Sequence, residues 1–273
     1  LDRYAVFGNP VGHSKSPQIH RWFAKKTHQE LEYSAQLVEL GQFEQSAKAF
    51  FDAGGLGLNI TVPFKQDAFA FADSLTERAR RAGAVNTLAR QPDDSILGDN
   101  TDGYGLVIDI RDHLTWSIKA QSVLILGAGG AVRGVLAPVF AEEPQKIVIA
   151  NRTGAKAINL AREFADLGKI TGCGYEQLQE QTRPFDLVIN GTSLSLSGEI
   201  PPIPPALLTS ETCAYDMVYA SEPTAFMAWA KELGCQTSDG LGMLAGQAAE
   251  SFFVWRGVRP EISALIKTLR GEL

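Results

Sequence analysis

The chain has 273 residues, of which 45% are hydrophobic, 21% charged and 9% aromatic, a globular composition that excludes extensive disorder and leaves room for two domains. Twenty-five Lys and Arg against 31 Asp and Glu give a net charge of −6, badly matched to a nucleic-acid backbone. Apolar runs break well short of the roughly 18 residues a membrane span requires, so neither nucleic acid nor membrane is the expected partner.

In chain order, apolar periodicity predicts a strand over 4–7 and a helix over 17–27, with Ser16 as its N-cap and Pro17 in its first turn. A strand over 32–37, a helix over 42–53 and a strand over 57–61 follow, then helical patterns at 64–72 and 76–83 and a strand over 85–89. A helical stretch over 102–114 links this series to a second one. There the pattern predicts strands over 122–126, 146–150, 185–189 and 214–218, and helices over 131–141, 154–164 and 224–233. Ile-Pro-Pro-Ile-Pro-Pro at 200–205 suits only an extended connector, and two helices close the chain near 241–255 and 260–269. Such alternation implies an α/β fold of two lobes, each with right-handed crossovers and a mostly parallel sheet. Ligands of open α/β sheets lie beyond the carboxyl ends of strands, so residues there carry the functional interest.

The opening Leu-Asp-Arg-Tyr-Ala-Val-Phe-Gly lacks the basic start and long apolar core of a signal peptide. Cys173, Cys213 and Cys235 have no CxxC spacing, which suits neither a disulfide framework nor a zinc site and fits a reducing cytoplasm. His13, His20, His28 and His113 form no HExxH-like pair, so no metal is expected.

Gly127-Ala128-Gly129-Gly130-Ala131 follows an apolar strand and opens a helix, the arrangement that brings backbone N–H groups to a pyrophosphate. The strict GxGxxG spacing is broken by Val132, and a βα turn that binds nothing could read the same way. At the end of the next strand stands Asn151-Arg152-Thr153, where an NAD site would carry Asp or Glu for the ribose hydroxyl. Arg152 can clamp a 2′-phosphate and Thr153 can donate to it, an NADP-type arrangement, although a solvated Arg beside a capping Thr would also fit. The missing acid also argues against a methyltransferase.

In the first lobe, Ser14-Lys15-Ser16 offers two hydroxyls beside an ammonium, enough to hold a small carboxylate. Asn59 and Thr61 share one face at the end of the third strand, with Lys65 shortly after; Asn86 and Asp102 sit in polar turns. Singly, each reads equally well as a cap, a turn residue or a surface charge.

Together, Asn-Pro-Val-Gly-His-Ser-Lys-Ser-Pro, Asn-Ile-Thr-Val-Pro-Phe-Lys, Gly-Ala-Val-Asn-Thr, Asp-Asn-Thr-Asp-Gly, Gly-Ala-Gly-Gly-Ala, Asn-Arg-Thr, Asn-Gly-Thr-Ser and Asp-Gly-Leu-Gly-Met-Leu-Ala-Gly-Gln resemble the shikimate dehydrogenase family, in its order and across residues 8–252. The resemblance implies NADPH-dependent, reversible reduction of 3-dehydroshikimate to shikimate in aromatic amino-acid biosynthesis, in the cytoplasm, by a monomer or homodimer. It implies a discontinuous substrate domain, 1–101 plus 241–273, with the C-terminal helices returning to the first lobe, and a Rossmann-type NADP(H)-binding domain at 102–240. Lys65 and Asp102 match the family's catalytic pair. Ser14 and Ser16 would hold the substrate carboxylate, and Asn59, Thr61, Asn86 and Gln247 the ring hydroxyls, with Tyr219 nearby. Gly127, Ala128, Gly129, Gly130 and Ala131, then Asn151, Arg152, Thr153 and Lys156, match the cofactor segments. Thr192, Ser193, Met217 and Gly240 would line the nicotinamide side. Glu77 also falls at a cofactor position, although it reads as an ordinary helix-surface charge.

The chain departs from the pattern at Lys156, where the family commonly has Arg, and at Gly191 and Ser195, where Ala and often Gly are expected. The nearest rival reading is a quinate or dual quinate/shikimate dehydrogenase using NAD(P), and a more distant one is a non-catalytic NADPH-binding regulator. Retention of both Lys65 and Asp102 speaks against the regulator.

Overall fold

Residues alternate between two apolar layers along the first strand. In β1 (Asp2–Gly8), Tyr4 and Val6 join one buried cluster while Ala5 and Phe7 join another, so the strand is covered on both faces and reads as a continuous apolar run. The computed structural model describes residues 1–272 and divides into two units: Leu1–Gly105 with Ala245–Leu265, and Leu106–Leu244 with the residues from Ile266 onward.

The first unit continues through α1 (Ser16–Thr27), β2 (Leu31–Leu37), α2 (Phe43–Asp52), β3 (Gly55–Ile60), α3 (Lys65–Phe71), β4 (Ser74–Leu75), α4 (Glu77–Ala82), β5 (Thr87–Arg90), β6 (Ile96–Asp99) and the start of α5 (Asp102–Ile108). Its sheet runs in the order β2-β1-β3-β5-β6-β4. Pairing is parallel for β1/β2, β1/β3 and β4/β6 and antiparallel around β5, because β5 and β6 form a hairpin over the short turn after Arg90. The strand expected from residue 85 begins at Thr87; the Val85 N–H is taken by the Lys65 carbonyl at 2.9 Å. Ser16 is not the N-cap of α1: that position is Lys15, and the Ser14 hydroxyl accepts the Ser16 N–H at 3.3 Å.

The helix α9 (Leu241–Arg256) completes this unit from residue 245 on. The Trp255 indole N–H donates to the Leu88 carbonyl at 3.0 Å, and its ring stacks on Tyr4 at 4.7 Å. Glu250 is buried and accepts from Arg78 at 3.1 Å and from Arg259 at 2.7 Å, while Arg78 grips Asp99 with two parallel bonds of 2.7 and 2.5 Å. Burial would raise the Asp99 carboxyl, but Arg78, the Thr76 hydroxyl and the Asn100 N–H hold it below the usual carboxylate range.

The second unit contains β7 (Ser122–Leu126), α6 (Gly130–Ala141), β8 (Lys146–Asn151), α7 (Gly154–Glu163), β9 (Ile170–Gly174), β10 (Leu187–Asn190), β11 (Cys213–Asp216), α8 (Ala225–Glu232), β12 (Gln236–Ser238) and most of α10 (Ser263–Arg270). All pairings are parallel, in the order β12-β11-β10-β7-β8-β9, the doubly wound arrangement with its reversal between β7 and β10. Val123 and Ile125 pack into the layer beneath one face of β7, Leu124 and Leu126 into the other.

The division departs from the expected 1–101 plus 241–273 at three places: residues 102–105 group with the first unit, and residues 241–244 and those after 265 with the second. The physical reason at the far end is Arg270, whose guanidinium holds Asp239 at 2.5 and 2.8 Å and the Ala220 carbonyl at 3.1 Å.

Arg78→Ala strands the buried Asp99 without its cation and is expected to cost about 2–4 kcal/mol, because one member of a buried pair is left uncompensated. A urea unfolding series checks this: the midpoint falls at constant m, and a shift worth under about 0.5 kcal/mol contradicts it.

Candidate functional site

In the first unit a polar cluster forms where β3, β5, α3, α5 and α9 converge. Lys65 opens α3, where the helix dipole disfavours a cation. It is balanced by Asp102, which opens α5: Nζ donates to Oδ2 at 2.6 Å, with both side chains still partly reached by solvent. The other Asp102 oxygen accepts from Asn86 Nδ2 at 2.8 Å, and the Asp102 N–H is fixed by Asn100 Oδ1 at 3.2 Å. Gln247 Oε1, one turn before Ser251 on α9, stands 3.5 Å from the same Asn86 nitrogen. The structure thus brings together Lys65, Asn86, Asp102 and Gln247.

Asn59 lies behind this group. It is only 6% exposed and its amide is engaged throughout: Oδ1 accepts from Tyr33 at 2.7 Å, and Nδ2 reaches Ser251, Thr87 and the Asn86 carbonyl at 3.0, 3.3 and 3.3 Å. Thr61 sits on the loop after β3, which runs beside the loop after β1 through bonds from Thr61 N–H to the Phe7 carbonyl and from Asn9 N–H to the Val62 carbonyl, both 3.0 Å. Ser14 and Ser16 continue from that second loop, both partly exposed. Burial lifts the Tyr33 phenol well above its ordinary value, an effect a Ser16 hydrogen bond partly offsets. Tyr33 stacks on His20 at 4.3 Å with rings 5° from parallel. His20 is wholly buried, both ring nitrogens lack a hydrogen-bond partner among the described residues, and burial pushes its pKa down to about 3. Glu77 stands apart from the cluster: it is 73% exposed and pairs along α4 with Arg80 and Arg81 at 3.4 and 3.5 Å.

In the second unit the expected residues gather at the carboxyl edge of the sheet, around its reversal. Gly127 has φ +104°, and a Cβ there would lie 3.2 Å from the Gly191 carbonyl oxygen, so glycine is what lets the loops after β7 and β10 approach. Gly129 and Gly130 have open space where a side chain would stand, and with Ala131 they are exposed at the start of α6, while Ala128 is partly covered. β8 ends at Asn151, whose Nδ2 donates to the Thr153 carbonyl at 3.0 Å. Arg152, Thr153 and Lys156 are exposed, and Thr153 precedes α7 without spending its hydroxyl on the cap. A glycine turn opening α6 and two exposed cations, with no carboxylate among residues 151–156, fit a phosphorylated dinucleotide.

Thr192 is tied to Asn190 Oδ1 through its N–H at 3.1 Å and its hydroxyl at 2.7 Å, and Ser193 next to it is exposed. The Met217 N–H donates to the Asn190 carbonyl at 2.9 Å, and Gly240 allows the chain to press against the Met217 carbonyl. Tyr219 is half-buried, its phenol raised by burial and by Asp239. Sequence reasoning missed the anchor of this edge. Asp216 is fully buried and collects Asn190 Nδ2 at 3.2 Å, the Ser195 and Thr224 hydroxyls at 2.6 Å each, and the Val218 N–H at 3.1 Å. Its signal was a lone acid closing an apolar strand.

Against known proteins, the chain matches the shikimate dehydrogenase substrate binding domain over residues 6–88, the shikimate / quinate 5-dehydrogenase domain over 110–197 and the shikimate 5′-dehydrogenase C-terminal domain over 240–270. It is 58% identical over 273 residues to shikimate dehydrogenase (NADP(+)) of Cellvibrio japonicus, covering all of this chain and 98% of that one. The chain belongs to the shikimate dehydrogenase family. Among solved structures, the Ael1 enzyme from Pseudomonas putida shares 45% identity with TM-score 0.94, covering 98% of each chain. Shikimate 5-dehydrogenase from Thermus thermophilus, in complex with NADP(H) and shikimate, shares 32% identity with TM-score 0.87, covering the whole of both. In this member of the shikimate dehydrogenase family, across the described residues, no helix is long and apolar enough to cross a membrane and no His, Cys, Asp and Glu cluster is grouped to hold a metal.

The buried imidazole makes stability depend on pH. With His20 near 3 in the folded chain and about 6.5 unfolded, the unfolded chain binds the extra proton between those values, so stability is full above about 6.5 and falls as pH drops towards 3. His20→Phe is expected to remove up to about 1.4 kcal/mol per pH unit of that slope, read by urea melts at pH 4 to 7. An unchanged slope contradicts a neutral buried imidazole.

Proposed function

We propose that the protein catalyses the NADPH-dependent, reversible reduction of 3-dehydroshikimate to shikimate, with Lys65 and Asp102 as its catalytic pair. The observation that carries the assignment of roles is the bond between Lys65 Nζ and Asp102 Oδ2, 2.6 Å across two separate motifs, with Asn86 on the other carboxylate oxygen. Bound NADPH supplies the hydride. The Lys65 ammonium stabilises the oxygen that gains charge and delivers its proton there, and Asp102 keeps that ammonium aimed and accepts from a ring hydroxyl. Ser14 and Ser16 take the substrate carboxylate, Thr61 and Gln247 the remaining hydroxyls, and Asn59 backs them from inside. Gly127 through Ala131 take the pyrophosphate, Asn151, Arg152, Thr153 and Lys156 the 2′-phosphate, and Thr192, Ser193, Met217 and Gly240 the nicotinamide side, with Tyr219 beside the substrate. Glu77 has the weakest support, since its carboxylate already serves two arginines of its own helix. This reading divides the chain into a substrate domain and an NADP domain close to the two units described. It also takes the enzyme as cytoplasmic, in keeping with three free cysteines, and as a monomer or homodimer.

The direct test is NADPH absorbance on adding 3-dehydroshikimate, with NADH in parallel. Fast NADPH and slow NADH oxidation is expected, whereas silence with folded, NADPH-binding protein sinks the assignment, and a response to quinate alone moves it to that substrate. Lys65→Ala is expected to lower turnover about 10²–10⁴-fold with little change in NADPH affinity; turnover within threefold of wild type removes Lys65 from the chemistry. Arg152→Ala should weaken NADPH by about 1.5–3 kcal/mol and hardly touch NADH. Equal loss for both cofactors contradicts recognition of the 2′-phosphate.

A further inference from the structure

A carboxamide has nearly the same shape either way round, so only its partners decide which end of Asn86 faces Asp102. The amide oxygen of Asn86 is claimed by the Thr101 N–H at 2.9 Å, a donor that cannot reverse, and by the Thr87 hydroxyl at 2.9 Å, while the Thr101 oxygen lies 3.0 Å from the amide nitrogen. The amide nitrogen is thereby turned to Asp102 Oδ1; reversed, an oxygen would confront the carboxylate at the same short distance.

What directs the Thr87 hydroxyl is the rest of the buried cluster. The Ser251 hydroxyl stands 2.7 Å from the Thr87 oxygen, closer than its 3.0 Å to the Gln247 carbonyl, and gives its single proton to Thr87. Asn59, its own oxygen held by Tyr33, points its nitrogen at Ser251 and Thr87 at 3.0 and 3.3 Å. Thr87 therefore accepts from Asn59 and hands its single proton on to Asn86. Donors follow one direction, from Tyr33 through Asn59, Thr87 and Asn86 to Asp102, within a region where Thr87 and Thr101 are wholly buried.

We infer that Thr87 is a positioning residue of the reaction: together with the Thr101 N–H, its hydroxyl holds the orientation of Asn86 and, through it, of the carboxylate that aims Lys65. This inference rests on Lys65 and Asp102 being the catalytic pair. Thr87→Val keeps the shape and removes the donor, while Thr87→Ser keeps the donor and removes a methyl group.

Steady-state kinetics of both variants, beside Lys65→Ala, separates the possibilities. Expected are a roughly tenfold lower kcat for Thr87→Val, an unchanged KM for NADPH, and Thr87→Ser within twofold of wild type, although the serine variant loses more packing and melts lower. Turnover within twofold of wild type for Thr87→Val, or equal impairment of both variants, overturns the positioning role. Normal turnover of Lys65→Ala overturns the assignment of the pair instead, so the two failures are distinct. If Thr87→Val does not fold, Thr87→Ala against Thr87→Ser makes the same comparison, since those two variants differ only in the hydroxyl, with the same outcomes deciding.

Discussion

Arg78, Asp99 and Glu250 form the constraint on which the first unit depends. Two nearly dry carboxylates share a partly exposed guanidinium, and such burial contributes little stability compared with well-packed apolar side chains. Its use is geometric. Glu250 stands three residues after Gln247 and one before Ser251 on α9, so fixing its carboxylate on Arg78 fixes the rotation of the whole helix. Gln247 and Ser251, one turn apart, then face Asn86 and Asn59. A charged anchor with two fork-like bonds tolerates no half-turn slip, as an apolar face would.

Behind the reactive groups the structure mixes two kinds of interior. One is aromatic: Phe23, Tyr33, Phe252 and Trp255 surround a histidine that burial keeps neutral. The other is a knot of hydroxyls and amides whose hydrogen bonds all close internally. The aromatic side holds Tyr33 in place, and its phenol begins the polar side. Rigid packing thus ends in an oriented dipole at Asp102. The second unit follows the same plan at Asp216, where two hydroxyls, an amide and a backbone N–H fix the ends of β10 and β11.

How much of this was legible in the sequence varies with burial and with strand position. β7 is buried on both faces, so Ser122–Leu126 can be read to the residue. Of the edge strands only β2, seven residues long, is legible; β4, β9 and β12 are two, five and three residues long, with Ser, Thr, Gln and Gly prominent, and leave no pattern. The hairpin strand β6 is four residues long and follows a polar turn, so its apolar signal never accumulates. Ser16 directly precedes Pro17 and reads as the cap of α1; only the backbone geometry moves the cap to Lys15 and gives the Ser16 N–H to the Ser14 hydroxyl. Lys65, Asn86 and Asp102 stand in motifs and are legible together. Asp216 and Ser251 are not, and Thr87, though it closes the same motif as Asn86, shows no role there, because a buried polar residue and a solvated one look alike until their partners are known.

The chain leaves the first unit after Gly105 and returns to it only at Ala245. During synthesis at about 5–20 residues per second, the half-made substrate lobe emerges roughly seven to thirty seconds before α9 can reach it. Until then Arg78 and Asp99 have no Glu250, and the Leu88 carbonyl has no Trp255. The residues between β7 and β12 arrive without interruption and can assemble meanwhile. The two sheets therefore form in one order and the units close in another: each waits for the end of the chain, the first for α9 and the second for Arg270 on Asp239.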